Sequence, residues 1–512
     1  MKKIKQRVSL LGCLAALSLS AAIGSERPNV ILFLVDDLGW KDLGCQGSEY
    51  YETPNIDALA ESGLRFTDAY AACAVCSPTR AAILTGKYPA RLMLTQWLPS
   101  GRWSATKNKM KEGRFLRSLP LEEVTLAEAL RDEGYATFHV GKWHLGGEPF
   151  SMPRHHGFDE NVGGDDHGAP GSYFYPFKGK WTIPTTKEAV AKQAFEGGKE
   201  GDFLTDLMAK EAGKLIISAG DEPFFLYLPF YGVHSPLQGK KDKVERYAAI
   251  PKEERQGDPK YAAMVESIDD AVGHVLGVVE EQGETGNTLV IFTSDNGGLA
   301  KATNHRPLRA NKGSHYEGGI RVPLIMAGAG VGLDAPGGVD LPVTSCDLYP
   351  TVLAITQTPM RKSDGLNLAP LVNGFGEIVF FPDRPIYWHY PHYGNQGGEP
   401  SSIIMEGKWK LIHYHEDGRD ELYDLKKDIG EQNNLIKAEA KRAQKMRQRL
   451  DHWLKKTKAT LPNPDPEFDP DKRMQRWENI RTTKKEGLEK QHAKFLEPDY
   501  KPNQDWWGSS KD

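Results

Sequence analysis

Cysteine is scarce in this chain, five in 512 residues. Cys13 lies in an N-terminal stretch that reads as a removable leader. That leaves Cys45, Cys73, Cys76 and Cys346, too few to staple a protein of this size with disulfides. A single bridge from Cys45 to Cys73 or to Cys346 stays open. Net charge is equally scant, −4 from 65 basic and 69 acidic residues. This argues against nucleic acid and against an anionic membrane as partners, so any anion binding has to be local. Long apolar runs are missing apart from Val8–Leu19, which is shorter than the ~20 residues a spanning helix needs, so no transmembrane segment is expected. That run follows Met1-Lys2-Lys3-Ile4-Lys5-Gln6-Arg7 and precedes Ser20-Ala21-Ala22-Ile23-Gly24, the three regions of a secretory signal peptide. A bacterial exported protein, periplasmic or extracellular, is expected. Leu10-Leu11-Gly12-Cys13 offers a lipoprotein-type alternative, weakened by the short apolar stretch ahead of it.

What is present is strand and helix in alternation. Asn29–Val35 is a continuous apolar run ending in Asp36-Asp37, and Thr288–Ser294 repeats it, ending in Asp295-Asn296-Gly297-Gly298. Such runs suit strands buried on both faces of a parallel sheet. Ala136–Val140, Pro223–Leu228 and Val322–Met326 read as further strands. Thr125-Leu126-Ala127-Glu128 is a capping box opening a helix to about Glu133, and a long helix is expected over Lys260–Glu281. The pattern predicts an α/β fold, a large doubly wound, mostly parallel sheet flanked by helices. From Arg384 the texture changes to short aromatic strands, Ile386–Tyr390, Ser402–Met405, Trp409–Tyr414 and Glu421–Leu425. With a helix over Ala438–Lys455 carrying Leu450 and Trp453, these predict a smaller C-terminal α+β domain with an antiparallel sheet. The expected divisions are 1–24 leader, 25–383 catalytic domain, 384–460 C-terminal subdomain and 461–512 an extended Pro- and Lys-rich tail.

Cys76-Ser77-Pro78-Thr79-Arg80 followed by Ala81-Ala82-Ile83-Leu84-Thr85-Gly86 places a cysteine where a helix should start, at its positive end. A lone cysteine is ordinarily a small buried hydrophobe. Asp36, Asp37, Asp295 and Asn296 offer four oxygen ligands of the kind that hard cations take, although an Asp pair after a strand is more often a cap or a solvated turn.

The pentapeptide resembles the Cys-x-Pro-x-Arg signature of the type I, formylglycine-dependent sulfatases, within the wider alkaline-phosphatase-like group. Thr79 stands where serine is commoner. Gly141-Lys142-Trp143-His144-Leu145-Gly146, Tyr231-Gly232-Val233-His234-Ser235-Pro236 and Asn311–Pro323 are similar to further motifs of that family, so the likeness spans Asn29 to Leu435. It implies that a maturation enzyme, either a formylglycine-generating enzyme or an anaerobic sulfatase-maturing enzyme, oxidises Cys76 to formylglycine (3-oxoalanine). It implies one calcium ion on Asp36, Asp37, Asp295, Asn296 and residue 76. It further implies an anion cradle of Arg80, Lys142 and Lys312, His234 as the acid for the leaving alcohol and His144 as the base that releases sulfate. The hydrated aldehyde would attack sulfur with one hydroxyl, and the second would expel sulfate. Exported relatives of this kind desulfate polysaccharides, so the expected substrate is a sulfated carbohydrate of galactose or N-acetylgalactosamine type. Lys142, His234, Lys312, Trp97, His167 and His315 would contact it. The Gly-rich loop Gly163–Phe174 carrying His167 is equally readable as an ordinary surface loop. Two rivals remain: a phosphonate or phosphate diester hydrolase, and a silent glycan-binding protein with unmodified Cys76.

Overall fold

The computed structural model describes residues 27–98, 105–177, 195, 197–328, 337–371, 384–394 and 398–482. The expected leader and the last thirty residues of the tail lie outside them. Eight strands form the main sheet: β1 (Asn29–Val35), β2 (Leu64–Phe66), β3 (Ala136–Val140), β4 (Glu160–Val162), β5 (Phe224–Pro229), β6 (Thr288–Ser294), β7 (Leu324–Ala327) and β8 (Gly337–Val339). Their spatial order is β8-β2-β7-β6-β1-β5-β3-β4. β6, β1, β5, β3 and β4 are mutually parallel, whereas β7 runs against both β6 and β2. β7 starts two residues later than the apolar pattern suggests. Val322 spends its N–H on the Ala69 carbonyl, outside the sheet, and Pro323 has none to give.

β1 lies near the middle of the sheet and is buried along its whole length. Ile31, Phe33 and Val35 enter one core, shared with Met208, Ala212 and Ile216 of the helix Leu204–Ala219 and with Val265, Ile268 and Val272 of Pro259–Glu281. Val30, Leu32 and Leu34 enter the other, with Ala81 and Leu84 of Cys76–Thr85, Leu126 and Leu130 of Leu126–Arg131, and Val352 of Leu348–Ile355. Helices on both faces make the sheet doubly wound, as expected. Each fully buried aliphatic side chain contributes ~1.5–3 kcal/mol, which makes this three-layer stack the main source of stability. The Thr125 capping box forms as expected, Glu128 N–H donating to Thr125 Oγ1 at 3.2 Å and Thr125 N–H to Glu128 Oε2 at 2.8 Å.

The second sheet is antiparallel: β9 (Pro385–Tyr390), β10 (Ser401–Glu406), β11 (Trp409–Tyr414) and β12 (Asp420–Asp424), in that order. One face, with Trp388, Ile403 and Ile412, packs on Tyr70, Tyr316 and Ile320 of the larger unit. The other, with Ile404, Leu411 and Leu422, carries Met446, Leu450 and Trp453 of the helix Ala440–Lys456. A buried charge cluster crosses the first of these seams. Lys410 Nζ lies 2.8 Å from Glu317 Oε1 and 2.8 Å from Glu431 Oε1, and Glu317 Oε2 accepts from Tyr70 at 2.9 Å and Arg321 at 3.1 Å.

The tail departs from expectation. Asn463–Pro464 pairs with Met110–Lys111, and Pro470–Arg481 is a helix. Its start is built from Asp469, whose carboxylate caps Asp471 and Lys472, and from Pro470 at the first helical position.

Candidate active site

Four adjacent parallel strands deliver the chemistry at one edge of the sheet. Register pairs Val35 of β1 with Ser294 of β6, so Asp36-Asp37 and Asp295-Asn296 leave the sheet side by side. β5 leads to His234 and β3 to Lys142 and His144 on the other side of β1. This is the carboxyl edge where open α/β sheets bind ligands. Asp37 and His144 both take left-handed backbone, φ 62° and 59°, and Asp37 is held there with its carbonyl accepting from Tyr261 at 3.1 Å. Cys76 is the first residue of its helix, after Val75 in extended conformation. Lys312 arrives on the excursion between β6 and β7, tied by its own N–H to the Gly298 carbonyl at 3.0 Å and by Gly313 N–H to Ala74 at 2.9 Å.

Asp36, Asp37, Asp295 and Asn296 are at most 1% exposed, and Cys76 is 3% exposed. Cys76 Sγ lies 3.8 Å from Asp36 Oδ1 and 3.3 Å from Lys312 Nζ. The lysine ammoniums each take a carboxylate, Lys142 donating to Asp36 and Lys312 to Asp37. Burial pushes the Asp37 carboxyl up, but Lys312 and His234 outweigh it and hold it below the usual range. Burial pulls Lys312 down, and Asp37 with the neighbouring acids lifts it well above its ordinary value. Cys76 is different. Burial pushes its thiol up to about 12 despite Lys142 and Lys312, so an unmodified Cys76 stays a protonated, weak nucleophile.

Three carboxylates and an amide in one buried cluster form the donor set of a hard divalent cation. Asn296 Nδ2 donates to Asp37 Oδ1 at 2.8 Å, while its Oδ1 is buried without any hydrogen-bond partner. A buried orphan acceptor beside three carboxylates is costly unless something positive fills the need. The residues therefore fit a cation, and Asp36, Cys76 and Asp295 also offer ligand atoms within 4.8 Å of one another.

The two histidines carry opposite proton arrangements. His144 Nε2 donates to the Leu98 carbonyl, leaving Nδ1 as a buried lone pair without a partner. Burial, reinforced by Lys142, keeps that ring neutral by lowering its pKa well below the usual value. His234 donates from Nδ1 to the Ser235 carbonyl at 2.7 Å and turns Nε2 towards Asp37 Oδ2 at 3.7 Å. Burial lowers its pKa and Asp37 opposes the shift.

Arg80 departs from the anion-binding expectation. Fully buried, it reaches Asp295 Oδ2 from Nε at 3.0 Å and from Nη2 at 2.7 Å, Asp36 at 3.4 Å and the Lys142 carbonyl at 2.9 Å. It holds the carboxylates and the Lys142 backbone in place. His315 also departs: it is buried, with Nδ1 on Ser401 Oγ at 2.8 Å and its ring against Tyr390, in the seam with the second sheet. Trp97 packs half-buried on Cys73, Val75 and Tyr390, immediately beside the Cys76 segment. His167 is brought to the site's wall: Nδ1 bonds Asp165 Oδ1 at 2.6 Å, and the Asp165 carbonyl accepts from His144 N–H at 2.9 Å. Gly168 passes so close to His144 that a Cβ there would lie 2.8 Å from its ring. No disulfide forms among the described cysteines, since Cys45, Cys73, Cys76 and Cys346 are all free.

Sequence reasoning missed three supports. Leu98 links the wall together, its N–H donating to Ser77 Oγ at 3.1 Å and its carbonyl accepting from His144. Asp165 positions His167, and Tyr173 donates its hydroxyl to the carbonyls of Tyr231 and His234 at 2.6 and 2.8 Å. Backbone contacts of this kind leave no trace in residue pattern, although Asp165 and Tyr173 both lie in the Gly-rich loop 163–174.

Known proteins resemble this chain along most of its length. The sulfatase family model matches residues 28–358, and the model for the C-terminal part of N-sulphoglucosamine sulphohydrolase matches 310–460. A sulfatase from Formosa agariphila is 31% identical across 88% of this chain and 93% of its own. The mouse N-acetylgalactosamine-6-sulfatase is 36% identical across 74% of this chain and 72% of its own. Among solved structures, Ps i-CgsB in complex with k-i-k-neocarrahexaose superposes with a TM-score of 0.69 at 30% identity, covering 84% of this chain and 93% of that one.

Proposed function

As the chain belongs to the sulfatase family, whose members hydrolyse sulfuric esters, we propose that it removes sulfate from a sulfated glycan by way of an oxidised residue 76. The observation that carries this reading is the place of Cys76, at a helix start between Lys312 and Asp36, in a setting where the thiol itself is inert. Oxidised to formylglycine by a maturation enzyme and then hydrated, residue 76 would offer two hydroxyls, one to take sulfur as its bond to the alcohol oxygen breaks and the other to expel sulfate as the aldehyde re-forms. Asp36, Asp37, Asp295, Asn296 and residue 76 would hold a calcium ion, which supplies positive charge for the sulfate oxygens.

The remaining work falls to the chain's own side chains. Lys142 and Lys312 bring two ammoniums into the carboxylate cluster and suit the binding of a sulfate group. Arg80 keeps Asp295 and the Lys142 backbone fixed so that neither cation has to organise the site. His234, with Nδ1–H fixed by Ser235, serves the departing alcohol oxygen as an acid from Nε2 in its doubly protonated form, which Asp37 beside Nε2 favours against burial. His144, with Nε2–H fixed by Leu98 and its free lone pair at Nδ1, takes the proton lost as sulfate departs. The net change is water plus sulfate ester to alcohol, sulfate and a proton.

Two measurements on purified protein test this. Mass spectrometry of the peptide containing Cys76 should show the loss that accompanies conversion of the thiol to the aldehyde, and Cys76→Ser should fold normally yet lose turnover. Full turnover by Cys76→Ala, or a fully unmodified thiol in active enzyme, would sink the mechanism. Nitrophenyl sulfate should be cleaved faster than phenylphosphonate esters; the reverse order favours the diesterase.

A further inference from the structure

The helix Ala440–Lys456 gathers positive charge that the chain as a whole lacks. Between Lys437 and Lys458 stand nine basic residues against two acidic ones, Glu439 and Asp451, in a protein of net charge −4. Helical spacing sorts them by face. Met446, Leu450 and Trp453 turn into the core against Ile404 and Leu411 of the antiparallel sheet. From Lys441 to Lys456 every exposed position is Lys, Arg, Gln or His. Lys441, Lys445, Arg449 and Lys456 share the outer face and form a stripe ~22 Å long at 1.5 Å per residue. The three arginines of the helix have acids beside them: Arg442 meets Glu439 at 3.3 Å, Arg447 meets Asp451 at 2.9 Å and Arg449 meets Glu406 at 2.6 Å. The lysines have none. Lys437, Lys441, Lys445, Lys455, Lys456 and Lys458 are exposed and make no ion pair among the described residues.

This arrangement works against the helix itself. Lys441 with Lys445, and Lys445 with Arg449, are like charges at i, i+4, a spacing that destabilises a helix. The first turn holds no acid, and Lys441 and Arg442 stand at the positive end of the macrodipole. A polyanion laid along the stripe removes both costs. The face also narrows the kind of polyanion. A helix that binds a bilayer gives its apolar side to the lipid, and here that side is already covered by the sheet. Single-stranded nucleic acid is held in large part by stacking on aromatic rings, and the exposed positions offer no Phe, Tyr or Trp. A glycan carrying sulfates along its length asks only for spaced cations.

We propose that this helix is a second binding surface for the sulfated glycan, one that grips the polymer away from Cys76. The inference rests on the sulfated-glycan reading and adds that the enzyme holds its substrate at two places. The core beneath the helix includes Ala82, from the helix that Cys76 begins, so the surface is packed onto the catalytic unit. Glycan held there is kept at high local concentration around the site.

Binding is measured in the Cys76→Ala background, so that no substrate is consumed. The probes are a sulfated galactan, the same polymer after chemical desulfation, duplex DNA and vesicles of anionic phospholipid. The comparison is with the combined variant Lys441→Gln, Lys445→Gln and Lys456→Gln, which changes three exposed, unpaired side chains and should melt no lower than wild type. Loss of three exposed charge contacts should weaken binding to the sulfated galactan about tenfold. Raising salt from about 0.05 to 0.5 M should weaken the parent more than the combined variant, since exposed charges are the ones that salt screens. With Cys76 intact, the combined variant should raise KM on long fragments of the galactan and leave rates on nitrophenyl sulfate and on a sulfated disaccharide unchanged. Unchanged affinity and KM in the folded variant overturn the surface while leaving the glycan reading intact. So does equal binding of the desulfated polymer, or tighter binding of DNA or vesicles than of the galactan. Activity on nitrophenyl sulfate with none on any sulfated sugar overturns both.

Discussion

Lys410→Met isolates the charge cluster that binds the two sheets together. The ammonium lies between Glu317 and Glu431, and all three side chains are out of water. Removing one partner of a buried ionic group costs ~3–5 kcal/mol, because the remaining charges stay desolvated. At ~2–4 °C per kcal/mol for domains of about 150–250 residues, and less for a larger protein, a loss of roughly 6–10 °C in Tm is expected. The pH dependence is more diagnostic. Burial, with Glu317 close by, pushes the Glu431 carboxyl up from 4.5 to about 7 although Lys410 pulls it down. The native state therefore holds a proton that the unfolded chain has lost across that window. Stability falls as pH rises through it, by roughly 3 kcal/mol at 1.36 kcal/mol per unit. Without Lys410 the native carboxyl rises further and the window extends upward. The variant's deficit should then be larger at about pH 8.5 than at about pH 6. Unfolding curves of wild type and variant at both pH values, in the same calcium-containing buffer, measure this. The double variant with Glu431→Gln should recover part of the loss, since one stranded carboxylate is gone. A deficit that is independent of pH, or one below ~1 kcal/mol, the worth of an exposed pair, would refute the reasoning.

Arg80→Lys should destabilise by ~3 kcal/mol or more and abolish turnover together, because an ammonium cannot make the paired contacts to Asp295 and also reach the Lys142 carbonyl; a stable, inactive variant would return Arg80 to a direct role in anion binding. Chelation should lower Tm, with calcium restoring it, since a ligand at a hundred times its Kd adds ~2.7 kcal/mol; a Tm indifferent to chelator and calcium would remove the cation from the Asp36, Asp37, Asp295 and Asn296 cluster. His234→Ala should slow sugar sulfates by ~10²–10⁴ and nitrophenyl sulfate far less, because a good leaving group needs little protonation. Equal losses on both would take His234 out of the acid role.

Much of the site was legible because buried parallel strands announce themselves as unbroken apolar runs, and the residues just past each run have to lie at the sheet's carboxyl edge. Asp36-Asp37 and Asp295-Asn296 were placed by that rule, and the start of the Cys76 helix by Pro78. The reversal of β7 was not legible, since apolar pattern is blind to strand direction. Nor was the turn of Arg80 into the carboxylates, because a residue four places into a helix can face the ligand or the protein behind it. His315 misled for a related reason: its motif lies on the excursion that also packs on the second sheet, and only the partner strand shows that Ser401 takes its ring. The helix Pro470–Arg481 had a readable signal in Asp469-Pro470, obscured by the surrounding proline and charge.

The pairing of β1 with β6 has a consequence in time. Some 260 positions separate the two strands by their own numbering, and contacts so distant in sequence form late. Until Thr288–Ser294 has been made, Asp36 has no Asp295 beside it, Arg80 has no carboxylate to grip, and Lys312 does not exist to close over Cys76. The thiol that ends 3% exposed therefore passes through a long interval, the synthesis of some 220 further residues by the same numbering, before Asp295 and Lys312 are there to help enclose it. An enzyme that oxidises residue 76, as the proposed function requires, would have that interval in which to act, and completion of the sheet would end it.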